Sequence, residues 1–191
     1  MKKILPFLFA VLSFNTAFCQ TDNAELPAIS ADNANAFFIP AAVCKKFNVT
    51  EANGDAWMKV YNNLAKDAKL QRVNDIRWQA TTKEAAIAWY NANINMLSEG
   101  AKDVTDQLTK PAGVLAWNVY ETSEKMKKMM ESMGMKQNQY TFTFVVDKYV
   151  AKIFVGVNEA TSLKESWSFA KEGLKALLTA SGNPKLAALV L

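Results

Sequence analysis

The chain has 191 residues, half of them hydrophobic, with eleven Phe, five Trp and five Tyr, which suits one domain with a packed core. Its formal charge is only +4, and with no Lys/Arg block past the first residues this argues against a nucleic-acid partner. It contains no histidine, which removes Ser-His and Cys-His nucleophile pairs, imidazole bases and His-ligated metal sites.

Lys2 and Lys3 precede an apolar run from Ile4 to Val11 that Leu12, Phe14 and Ala17 extend. Ala17 and Cys19 then place small residues at −3 and −1 of a cut before Gln20. Residues 1–19 therefore read as a cleavable signal peptide, which implies export to a periplasm or secretion. The run is shorter than the roughly 20 residues of a spanning helix, so no transmembrane span is expected in the mature chain. Without Lys2 and Lys3, in a leader that holds no acid, the mature charge is +2. Cys19 raises a lipidation reading, an outer-membrane lipoprotein, but Phe18 is the wrong shape for the residue before a lipidated Cys. If Cys19 leaves with the leader, Cys44 is the only cysteine and no internal disulfide can form. Cys44 is expected to act as a small buried hydrophobe.

Residues 20–29 read as a flexible lead-in and 30–191 as a single α+β domain. Phe37, Phe38, Val43, Cys44 and Phe47 mark a helical stretch interrupted at Pro40. Asn53-Gly54-Asp55 is a turn, after which Trp57, Val60, Tyr61, Leu64, Ala65 and Ala68 have the spacing of an amphipathic helix. Val73, Ile76 and Trp78 suggest a short strand. Thr81 and Glu84 form a capping box, and Ile87, Tyr90, Ile94, Leu97, Ala101, Val104 and Leu108 predict a helix running to Leu108. Leu115, Trp117 and Val119 alternate as a strand, and Ser123 or Thr122 starts a short helix that Gly134 stops. Tyr140 to Val146 and Tyr149 to Val155 alternate about Asp147-Lys148 as an antiparallel hairpin. Ser162 and Glu165 cap a closing helix with Trp167, Ala170, Leu174, Leu177 and Leu178 inward; the apolar tail Leu186 to Leu191 must pack somewhere. The expected fold is α+β, with helices packed on one face of a small, largely antiparallel sheet of three or four strands.

Three groups of residues invite a functional reading. Met126, Met129, Met130 and Met133 lie at helical spacing, where thioethers on adjacent turns can bind Cu(I) or Ag(I); the same spacing is also an ordinary core stripe. Among the tryptophans, Trp89 sits off the periodic face of its helix, which marks it for a surface or pocket. Thr141, Thr143 and Lys152 share the polar side of the hairpin. They would line a ligand cleft if that side were covered, although a solvated sheet face is the ordinary outcome.

No nucleotide-binding glycine cluster or calcium-loop spacing is present. The leading reading is an exported non-catalytic binding or interaction module for a small molecule or protein, with ligand and cofactor unknown. A Met-rich Cu(I)/Ag(I)-handling protein of the cell envelope is one alternative. A carboxylate-dependent enzyme such as a glycan hydrolase is another, since two suitably spaced carboxyl groups suffice for that chemistry.

Overall fold

The computed structural model describes residues 28–63, 65, 68–94, 100–134 and 137–190. The leader, Cys19 and most of the lead-in lie outside them. The expected hairpin is the centre of the molecule. β6 (Gln137–Val146) pairs antiparallel with β7 (Tyr149–Asn158), and Asp147 adopts the φ of +51° that the tight turn requires. Tyr140, Phe142, Phe144 and Val146 of β6, with Tyr149, Ala151, Ile153 and Val155 of β7, all enter one core. Helix α5 (Leu163–Ala180) packs on that face, and its capping box at Ser162 and Glu165 forms as expected.

The sheet is larger than the sequence suggests. It has seven antiparallel strands in the order β1-β2-β3-β7-β6-β5-β4: β1 (Thr50–Gly54), β2 (Met58–Asn62), β3 (Leu70–Gln79), β4 (Ala101–Asp103) and β5 (Ala116–Thr122) flank the hairpin. This overturns the expected sheet of three or four strands. Two misread segments account for the difference. The segment expected as a helix from Trp57 instead holds β2, in a hairpin with β1, for which no strand was expected, closed where the Asp55 carboxylate accepts the backbone N–H groups of Trp57 and Met58 at 2.7 and 2.8 Å. The long helix expected from residue 81 to Leu108 is only α3 (Lys83–Ile94), capped by Thr82 rather than Thr81. Beyond it Gly100 takes φ +79°, and Ala101–Asp103 forms the edge strand β4 against β5. Of the apolar residues that suggested these two helices, Leu64 and Leu97 lie outside the described residues.

Helices also cover both faces, not one. The α5 face carries α1 (Ala34–Phe37), α2 (Ala41–Lys46) and α6 (Pro184–Ala187), with Phe37, Phe38, Cys44, Ala187 and Val190 in its core. Ile29 is buried there too. Helix α3 lies on the opposite face over Ala80, Val145 and Val150. Its attachment is thin: of its twelve residues only Ala86 and Tyr90 are buried. Among the described residues no helix is long and apolar enough to cross a membrane.

Candidate functional site

Strand register lays side chains in rows across the α3 face. Trp78, Val150, Val145 and Ala116 form the first row. Ile76, Lys152, Thr143 and Asn118 form the second, and Asn74, Phe154, Thr141 and Tyr120 the third. The first row is apolar and sits under α3. The second turns polar while staying buried: Lys152 is 9% exposed, Thr143 2% and Asn118 2%. Thr141 and Tyr120 in the third row are buried as well. Further along the strands, Arg72 and Gln139 are exposed, so the rows grade from sealed to open.

The buried polar groups in these rows are incompletely satisfied. The side-chain amide of Asn118 and the hydroxyl of Thr143 make no hydrogen bond. The Tyr120 hydroxyl lies beside Asn118 without hydrogen-bond geometry to it, and donates instead to the carbonyl of Ile94, the last residue of α3, at 3.3 Å. The Lys152 ammonium has no carboxylate partner among the described residues; its one close contact is the Phe154 ring, 4.7 Å away. Burial alone pushes the ammonium down to about 8. An unpaired buried cation and two orphaned polar side chains in one row each carry a desolvation cost that packing does not return.

The four residues singled out for ligand binding therefore share a face. Thr143 and Lys152 are cross-strand neighbours, Thr141 is one row on, and Trp89 of α3 stacks on Trp78 with ring centroids 4.8 Å apart. Trp89 is half-buried; Trp57, expected in the core, is the exposed indole at 39%. The solvated face taken as the ordinary outcome for Thr141, Thr143 and Lys152 is not what forms, because the sheet has helices on both sides. Sequence reasoning missed Asn118 and Tyr120. The alternation Ala116, Asn118, Tyr120 carried the signal: an amide in the middle of an otherwise apolar strand.

Met126, Met129, Met130 and Met133 follow a different course. Helix α4 (Glu124–Ser132) has no buried residue, so the core-stripe reading fails. Met126 and Met130 are half-buried, while Met129 and Met133 are 48% and 44% exposed. The helix lies beside the sheet, tied by Lys127 to Glu121 of β5 at 2.7 Å, with the Met126 methyl beside Gly100.

Two other features lie apart from this face. Asp75 and Arg77 form a fully buried ion pair beneath α5: Nη2 donates to Oδ2 at 2.8 Å, Nε lies 2.8 Å from Oδ1 without hydrogen-bond geometry, and Arg77 donates also to the Gly173 carbonyl at 3.3 Å. Burial raises the Asp75 carboxyl against the pull of Arg77. The other displaced carboxyls, Glu121 and Glu165, are held low by hydrogen bonds, Glu121 against its burial and with Lys127 as chief partner, Glu165 by Lys69 first. A cleft of about 210 Å³ opens between Phe47, Leu70, Val157 and Phe169. The polar groups at its rim are already paired: Lys69 with Glu165, Thr161 with Asn158, Ser166 with the Ser162 carbonyl. It holds none of the expected site residues and makes no polar demand. The polar rows under and beyond α3 do.

Fold and site together define an α+β protein whose seven-stranded antiparallel sheet lies between helices, with an unsatisfied polar row on the more thinly covered face. Comparison with family models, curated proteins and solved structures finds no match for the chain.

Proposed function

We propose that this chain is an exported, non-catalytic binding module whose ligand seats on the Lys152–Thr143–Asn118 row. One observation carries the reading: Asn118 and Thr143 lie buried with side-chain polar atoms that make no hydrogen bond, beside Lys152, nine-tenths buried and with no ion-pair partner among the described residues. A fold gains nothing from such a row unless something else completes it. The face opens two rows further on, at Arg72 and Gln139, and on the opposite side α3 is held by few buried residues.

The test is native and denatured mass spectrometry of the protein purified from its own export compartment. The expected result is a chain beginning at Gln20 that retains a small molecule only under native conditions. Thr143→Val with Asn118→Leu should release it. A bare native mass, with Trp emission unchanged when compartment extract is added back, would overturn the binding reading. A chain that keeps its first nineteen residues would overturn export.

A second reading has one observation in its favour. Because α4 is not buried, the sulfurs of Met126, Met129, Met130 and Met133 stay within reach of solvent along one stripe, as a Cu(I) or Ag(I) site needs. Among the described residues no three His, Cys, Asp or Glu side chains converge on a metal position, so the soft thioethers are the ligands at issue. Replacing the four with Leu should abolish Ag(I) binding in a calorimetric titration and leave the circular dichroism unchanged; equal Ag(I) affinity in that variant removes the reading.

A further inference from the structure

Resting on the binding reading above, we propose that the ligand carries a single carboxylate that pairs with the Lys152 ammonium, with its apolar body along Phe154 and Ile76. Charge, donors and shape point the same way.

Lys152 is the one cation in the three buried rows, and no protein carboxylate meets it among the described residues. The charged and titratable groups that share this face come from each element around it. Among the described residues they include Arg72 on β3, Tyr120 on β5, Asp103 on β4 opposite Tyr120, and Tyr90 on α3, with Lys148 buried at the β6–β7 turn beyond the first row. Arg72 is exposed and donates to Asn74 at 3.1 Å, and Asp103 is exposed. Burial raises both phenols, Tyr90 to about 12, so both stay neutral near pH 7. Among the described residues, the three rows thus hold one positive charge and otherwise neutral groups. One negative charge balances it. A phosphate dianion would leave an uncompensated charge in a buried place, and the row has no guanidinium to share it.

The neutral partners suit the same group. A carboxylate offers about four lone-pair sites and no proton. The Thr143 hydroxyl and the Asn118 amide N–H are both unpaired donors, and the lysine supplies three more. The flanks are apolar and half-buried: Ile76 beside Lys152 in its row, Phe154 in the next, toward the open end. An aliphatic or aromatic body fits against them.

The experiment uses three probes of matched chain: octanoate, 1-octanol and octyl phosphate. Each is titrated into the mature protein with amide and Lys Nζ NMR signals as readout. Octanoate should shift the Lys152, Thr143 and Asn118 signals and raise the Lys152 pKa, while octanol binds about tenfold more weakly or worse. Lys152→Met should bring octanoate down to the octanol level, and Lys152→Arg should restore it in part. Thr143→Val is the second variant, expected to weaken octanoate alone. The inference falls if octanol binds as well as octanoate, if Lys152→Met keeps octanoate affinity, if octyl phosphate binds more tightly at pH 8, or if octanoate moves none of these signals. A neutral molecule retained in the native mass spectrum would sink the carboxylate and leave the binding reading standing. A bare chain that also ignores all three probes would sink both.

Discussion

Replacing Lys152 with Met should make this protein more stable. The ammonium is buried without a counter-ion among the described residues, and burial moves it from the ordinary 10.5 to about 8. At roughly 1.4 kcal/mol per pKa unit, that displacement is a penalty of about 3 kcal/mol on the charged folded state. Below pH 8 the lysine is charged in both folded and unfolded chains, and the full penalty applies. Between pH 8 and 10.5 the folded chain gives up its proton while the unfolded chain keeps it. Stability of the parent therefore rises with pH across that window, and the penalty is gone near 10.5. Methionine keeps an unbranched stem beside Phe154 and removes the charge. The variant should gain up to about 3 kcal/mol at pH 7, with the gain shrinking toward zero as pH approaches 10.5. Tyr90 and Tyr120 are raised in both proteins, so their alkaline effect cancels in the difference. Urea unfolding followed by circular dichroism, at unit steps from pH 6 to 10, measures it. A variant less stable than the parent at pH 7, or a difference that does not change with pH, would refute the reasoning. A gain in the variant at pH 7 would tie this stability measurement to the proposed site.

Three further outcomes follow from other parts of the molecule. Asp75→Ala leaves the Arg77 charge fully buried and unpaired, and should cost about 3–5 kcal/mol in urea unfolding; a loss under about 1 kcal/mol would contradict the description of the pair. Gly173→Ala puts a methyl 2.6 Å from Ile153 Cδ1 and 2.9 Å from Arg77 Nη2, so overpacking of about 1–3 kcal/mol should outweigh the roughly 1 kcal/mol of helix propensity gained, and the Tm should fall rather than rise. Burial, helped by Glu51 and Asp75, pushes the Cys44 thiol from 9.0 to about 11, so at pH 8 its thiolate fraction drops about a hundredfold. Thiol-reagent labelling should accordingly be at least that much slower in the folded protein than in urea, and equal rates would show the thiol to be accessible.

What was legible in the sequence was whatever had a strong local pattern of sufficient length. The β6–β7 hairpin has ten-residue strands, aromatic alternation and a two-residue turn, and it forms as read. The α5 capping box forms, and Ser123 caps α4, because each depends only on neighbours three residues away. The errors came where two periods coincide over a short span. Trp57, Val60 and Tyr61 satisfy a helical spacing, yet in β2 Lys59 and Tyr61 face α5 while Met58 and Val60 face the other way. Five residues cannot distinguish 3.6 from 2; pairing with β3 decides it. β4 has three residues and no pattern of its own. It exists because β5 offers an edge and because Gly100 turns the chain there.

The site divides along the same line. That Thr141, Thr143 and Lys152 share one side of a hairpin is a consequence of the two-residue period, and the sequence by itself determined it, together with the absence of histidine chemistry and the apolar alternation of β6 and β7. Whether that side meets water or protein was a matter of tertiary structure. Strands β2 and β4, read as helix, and β1, for which no strand was expected, hid the true width of the sheet, and α3, with a weak apolar face, gave little sign that it would cover the far side. Burial of Lys152 and the placing of Asn118 beside Thr143 depend on contacts between strands and helices far apart in the chain. Side-chain periodicity is local and survives in any fold that keeps the strand; desolvation is a property of the whole assembly and is set only when the last layer packs.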